Sequence, residues 1–194
     1  MTALAPSEAL ATRALTGDAT HRAVKFAGLA LLGTLVLALS AKINVPFYPV
    51  PQTLQTLAVF GIAAAFGRNL AVATMVLYLA EGLVGLPVFA GPTAGPAYMV
   101  GPTAGYLAGF VVSAAIVGEA ADRGWSRSIG WMSLAMLAGN AIVFALGWAW
   151  LASLIGPAAA FSGGVAPFIL GGLVKIALAA GIVAALWKLV PPRG

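Results

Sequence analysis

The sequence predicts an all-α integral membrane protein, a single domain of six transmembrane helices with Gly/Pro-rich outer loops. Three observations lead there. Of its 194 residues, 61% are hydrophobic and 8% charged, where ordinary soluble domains are roughly one quarter charged, and mean hydropathy is +1.01. Apolar segments recur at residues 23–41, 53–66, 70–86, 104–121, 128–155 and 167–190, and most are near the ~20 residues that a bilayer-crossing helix needs. The connections alternate in kind, long and rich in glycine and proline on one side, short and charged on the other.

Residues 1–20 are mixed and weakly polar and show no charged start followed by a short apolar core and a cleavage site, so they read as a cytoplasmic tail. A short amphipathic surface helix over 7–15 is compatible with them. Residues 21–194 form the membrane domain. The chain has no cysteine and one histidine, His21, which excludes disulfides, Cys/His metal sites and thiol catalysis; no metal or cofactor is expected. The net charge of +5 is spread over helix ends instead of one face, which points to membrane orientation and not to nucleic acid.

The first helix, 23–41, carries Ala30, Thr34 and Ala38 at four-residue spacing. Small residues at that spacing let another helix come close, either one of the chain's own or one from a separate membrane subunit. The second, 53–66, is short for a bilayer and is expected to tilt, extend into the preceding loop or be sheltered; the fifth, 128–155, is long enough to tilt. With both termini inside, Arg22, Lys25, Arg68, Arg123, Arg127 and Lys188 are cytoplasmic, as are Arg13 and Arg193. Lys42 and Lys175 are the exceptions, placed at or within the outer half, where a cation must be paired, hydrated or bound.

The outer connections are KINVPFYPVPQT at 42–53, held extended by Pro46, Pro49 and Pro51, then the stretch 85–110, and GPAAAFSGGVAP at 156–167. The central one repeats GPTAG from Gly91 and from Gly101. Irregular backbone at membrane depth persists only where protein covers it or where it lines a wet cavity, so this stretch is read as the wall or lid of a site on the outer half.

Inside that half, Lys175 sits about eight residues into the last helix, on the order of 12 Å below its end. Its ammonium wants an anion. Glu81 is the one acidic side chain near enough, and an anionic ligand such as a carboxylate is the other solution. Asn140, deep in the fifth helix, offers donors and an acceptor. Phe89, Tyr98, Tyr106, Phe144, Trp148 and Trp150 are candidates for the aromatic wall of a pocket, or for an interfacial belt. There is no GxxxxGK[ST] phosphate loop, so any ATP drive comes from a partner, and no catalytic set shares a face at membrane depth, so no enzyme is expected.

The runs AKINVPFYPVPQTLQTLAVF (41–60), YLAEGLVGLPVFAG (78–91), GPTAGYLAGF (101–110), GNAIVFALGWAWLA (139–152) and PFILGGLVKIALAA (167–180) closely resemble BioY, the biotin-binding membrane component of energy-coupling-factor (ECF) vitamin transporters. The resemblance implies an S-component-like six-helix bundle in the cell (inner) membrane of a prokaryote. It also implies biotin as ligand, and a separate transmembrane coupling subunit and ATPase subunits as partners, with Ala30, Thr34 and Ala38 as a contact face. The lysine of the family's PGDLxK-like segment falls on Lys175, which implies a contact to a polar end of the ligand. Gly172 stands where the family commonly has aspartate. Ligand contacts are expected from Lys175, Asn140, Tyr98, Tyr106, Phe89, Glu81 and Trp148. Two readings stay open beside this one: capture of a different small vitamin, and a structural subunit without a ligand whose Lys175 pairs with Glu81.

Overall fold

In the computed structural model, which describes residues 9–11 and 15–189, the apolar segments form helices and the connections sort to two ends. The helices are α1 (Ala19–Lys42), α2 (Gln55–Phe66), α3 (Arg68–Leu83), the single turn α4 (Pro96–Met99), α5 (Ala104–Asp122), α6 (Ile129–Ile155), α7 (Pro157–Gly164) and α8 (Ile169–Leu189). Among the described residues, four spans are long and apolar enough to cross a membrane: α1, α5, α6 and the run Pro157–Leu189. α2 and α3 are shorter, at 12 and 16 residues. The proposed surface helix at 7–15 and the positions of Arg13 and Arg193 lie largely outside the described residues.

Two outcomes differ from the sequence reading, and a third selects one of the two alternatives it left open for α1. Residues 156–167, expected to be a loop, contain α7: Gly156 at φ 86° ends α6, and Pro157 at the first position opens a new helix on three alanines. The 42–53 connection is extended as expected but also pairs with itself, since β1 (Asn44–Val45) and β2 (Gln52–Thr53) form a two-residue antiparallel ladder with Asn44 opposite Thr53. The small-residue face of α1 packs inside the chain. Ala30 and Thr34 are buried, Ala38 is partly buried, and the Thr34 hydroxyl donates to Glu81 Oε1 at 2.9 Å. Leu31, Leu32, Leu35 and Leu39 on the same helix are exposed.

At the charged end, Gly67 at φ 74° turns α2 into α3, and the Asp122 carboxylate accepts from Arg68 N at 2.9 Å, capping α3. Glu119 pairs with Arg123 at 2.9 Å and with Arg68 at 3.4 Å. The Arg127 guanidinium lies over the Trp187 ring, 4.9 Å from its centroid. The start of α1 is capped by Asp18, whose carboxyl is held below its usual range by bonds from the His21 backbone N–H and then the His21 ring.

The opposite end gathers all three Gly/Pro-rich connections. Lys42 donates to Phe89 O (2.8 Å) and Gly91 O (3.1 Å), tying the end of α1 to the central loop. Trp150 donates to Gly101 O, Tyr106 to Gly164 O, and Phe47 meets Phe168 edge to face at 5.8 Å. Beneath them Tyr78, fully buried, donates to Val88 O at 2.9 Å and accepts from Gln55 Nε2 at 2.8 Å. Tyr78→Phe leaves a buried amide N–H and a buried carbonyl without that partner, and we expect a loss of about 1–3 kcal/mol, read as earlier thermal inactivation in detergent.

α5 and α6 form the most extensive helix pair. Their contact is built on glycine. A Cβ at Gly105 would run into Leu146 O and Trp150 Cβ, one at Gly109 into Val143 Cα, and one at Gly147 into the Tyr106 ring. Without a hydrophobic drive between helices in lipid, close backbone approach of this kind is what holds them together.

Candidate ligand-binding site

Below the gathered loops, α2, α5, α6 and α8 leave a cavity of about 610 Å³ when the open space at its mouth is counted. Its apolar walls are Leu107 and Phe110 from α5, Val143 and Phe144 from α6, and Phe168 before α8. Tyr98 from α4 and Tyr106 from α5 close the side under the central loop, and residues 50–53 of the first connection cover the top. Phe168, Tyr106 and Leu107 lie near the ends of their elements, where these meet the irregular connections, whereas Val143 and Phe144 come from the middle of α6.

The polar groups fall into two sets. Some are already bonded within the protein: Tyr106 donates to Gly164 O at 2.7 Å, Thr53 Oγ1 donates to Gln55 Oε1 at 3.1 Å, and Gln55 is held by Tyr78. Others are free to meet a ligand. Lys175 Nζ donates to Thr53 O at 2.7 Å, a neutral carbonyl that leaves its charge uncompensated, and an ammonium has two further protons to give. Asn140 is buried, and its Oδ1 has no partner; the same is true of Thr56 Oγ1. Gly172 floors the space beside Asn140, and a Cβ there would stand 3.0 Å from Asn140 Nδ2.

Of the seven ligand contacts expected from the sequence, Lys175, Asn140, Tyr98 and Tyr106 are brought together in this cavity. Phe89 lies behind the wall, fully buried, stacked on Tyr98 at 4.6 Å and edge-on to Tyr78 at 5.4 Å, so it supports a lining ring without lining the space. Glu81 is bonded to Thr34 on the α1 side of α3, and the Lys175 to Glu81 pair is not formed. Trp148 is turned outward and donates to Pro157 O at 3.1 Å, fastening α7 to α6. Trp150 likewise serves the central loop, whereas Phe144 lines the cavity.

Sequence reasoning missed the contribution of Gln52, Thr53, Gln55 and Thr56. A signal for it was present, since QTLQT puts four polar residues into the opening of an otherwise apolar segment, where polar groups persist only if something satisfies them.

Comparison with known proteins gives the family of the chain. A family model described as the BioY family matches residues 11–192. The chain is 36% identical over 161 residues to the biotin transporter BioY of Thermotoga maritima, covering 82% of this chain and 94% of that one. It is 30% identical over 162 residues to the biotin transporter BioY of Rhizobium etli, covering 78% and 86%. In three dimensions it resembles the S-component for biotin from an ECF-type ABC transporter with a TM-score of 0.78, over 89% of this chain and 95% of that one, at 24% identity, a likeness of fold. The chain belongs to the BioY family.

Proposed function

We propose that this chain is the biotin-binding membrane component of a vitamin uptake transporter, capturing biotin from outside and delivering it inward. The observation that carries the reading is the cavity, which pairs an uncompensated ammonium, Lys175, with a buried and unpartnered amide oxygen, Asn140, inside aromatic and aliphatic walls. Biotin presents the matching parts: a carboxylate, a ureido ring and an apolar thioether ring with its valeryl chain. The Thermotoga and Rhizobium relatives, both named for biotin transport, support the choice of ligand.

In this reading α1, α2, α3, α5, α6 and α8 each cross the membrane, with the shorter α2 and α3 sheltered by their neighbours. The Gly/Pro-rich end faces outward. The charged end, with Arg68, Arg123 and Arg127, faces the cytoplasm along with both termini, in the cell (inner) membrane of a prokaryote. Residues 1–20 form a tail and 21–194 the domain. The chain is a transporter component and not an enzyme. Its drive comes from a transmembrane coupling subunit and ATPase subunits, the former meeting α1 along the outward strip of Leu31, Leu35, Ala38 and Leu39, since Ala30 and Thr34 are covered by the chain's own helices. Closure of the outer loops buries the ligand and a shift of the helices releases it.

The test is equilibrium binding of radiolabelled biotin to the purified, detergent-solubilised chain without partners. Saturable, near-stoichiometric binding displaced by unlabelled biotin is expected. A folded sample that binds no biotin, or binds thiamine or riboflavin instead, overturns the reading.

A further inference from the structure

Among the described residues, three buried side-chain polar atoms have no hydrogen-bond partner: Thr56 Oγ1, Ser113 Oγ and Asn140 Oδ1. Ser113 lies between α5 and α6 against Gly139, away from the cavity wall. The other two line the same cavity from opposite helices, Thr56 from the first turn of α2 and Asn140 from the middle of α6. Buried polar groups in folded proteins are almost always bonded. Two orphans facing one cavity therefore indicate that the missing partners belong to what fills it.

The surroundings narrow the chemistry. Gln55, next to Thr56, is fixed by Tyr78 and Thr53, and Tyr106 is committed to Gly164, so neither turns to satisfy the orphans. Asn140 Oδ1 can only accept, and a threonine hydroxyl has lone pairs to accept with. The one cationic donor in the wall, Lys175, is held on Thr53 O. Gly172 leaves open the space beside Asn140 that a side chain would take. A ligand seated here meets two neutral acceptors and one ammonium.

We propose that Thr56, together with Asn140, reads a ring carrying two N–H donors, each residue accepting one of them. The proposal rests on the assignment of biotin above and names the determinant of its ureido ring. It makes Thr56 a specificity residue. A ring lacking one N–H leaves one acceptor buried and unpartnered, and discrimination of that kind is larger than the loss of a contact on an open surface.

The experiment uses biotin and two lactam analogues in which a ring CH2 replaces one or the other ureido N–H, measured on the whole purified chain. The unsubstituted protein is expected to bind each lactam about tenfold more weakly than biotin. Thr56→Val is expected to bind biotin about tenfold more weakly and to lose its preference for biotin over one lactam while keeping it over the other; Asn140→Leu should show the opposite pattern. Thr56→Ser, which keeps the hydroxyl, should restore both affinity and discrimination. Biotin affinity within twofold in a folded Thr56→Val, or full preference for biotin over both lactams in that variant, overturns the proposal. Should Thr56→Val not fold, the unsubstituted protein still decides, since a preference under twofold for biotin over either lactam overturns it too. Absence of biotin binding by the unsubstituted protein would instead bring down the functional reading itself, and this proposal with it.

Discussion

Lys175→Met is expected to weaken biotin binding on the order of 10- to 100-fold, the size of a lost charge-assisted hydrogen bond in a sheltered site. Among the described residues, the acidic side chains are committed elsewhere. Glu81 is bonded to Thr34, Glu119 to Arg123 and Arg68, and Asp122 caps α3 at the charged end. Lys175 rests on the carbonyl of Thr53, so its compensation by charge must come with the ligand. Methionine keeps the length and apolar stem of the side chain, which separates the charge from packing. Because the same ammonium also ties β2 to α8, affinity alone does not isolate the ligand contact. The alcohol formed by reducing biotin's carboxylate does so: it should bind the unsubstituted protein weakly and be penalised little further by Lys175→Met, while biotin is penalised fully. Equal penalties for acid and alcohol would assign the carboxylate to another residue and leave Lys175 as a tether of the first connection.

Much of this arrangement was legible in the sequence, and the parts that were not share a cause. Long apolar runs mark helices in lipid because every backbone group must be satisfied within the segment. The helix positions accordingly agree with the apolar pattern to within a few residues, as at 104–121 against Ala104–Asp122. The segregation of Gly/Pro-rich and charged connections likewise reads directly from composition, and the cavity lies at the Gly/Pro-rich end. What a linear pattern does not carry is which side of a helix faces inward when nearly every residue is apolar. Trp148 and Phe144 are one turn apart on α6, yet one fastens α7 and the other lines the cavity. Glu81 faces α1 through Thr34 and does not line the cavity. Thr56 was overlooked because a threonine at a helix start is ordinarily a capping or solvated residue, and only the closing of α5, α6 and α8 around it leaves its hydroxyl unpartnered. α7 was read as a loop from its glycines and prolines, although Pro157 followed by three alanines is also a sound opening for a helix.

Gly105→Leu is expected to lower stability by about 3 kcal/mol or more, at the upper end of overpacking effects, and to abolish ligand binding before the helices themselves are lost. At this position the obstacle is backbone. A Cβ on Gly105 would meet Leu146 O, Trp150 Cβ and Gly147 Cα, atoms that cannot swing aside as a side-chain tip can. α5 and α6 must therefore separate along the very contact that holds them closest. The cavity shares that contact: Tyr106, the next residue, lies on Gly147 and is pinned through its hydroxyl to Gly164 at 2.7 Å, while Trp150 holds Gly101 of the central loop at 2.9 Å. Moving α6 outward shifts both anchors and carries Asn140 and Phe144 away from Lys175. Gly181, in α8, provides the comparison, because a Cβ there meets nothing within 4 Å, and Gly181→Leu should leave thermal inactivation and biotin binding close to those of the unsubstituted protein. Paired measurement of inactivation temperature in detergent and of biotin binding tests the argument. If the two leucine variants lose stability equally, the damage comes from bulk on any helix in lipid, and the glycine contact between α5 and α6 is not what positions the site.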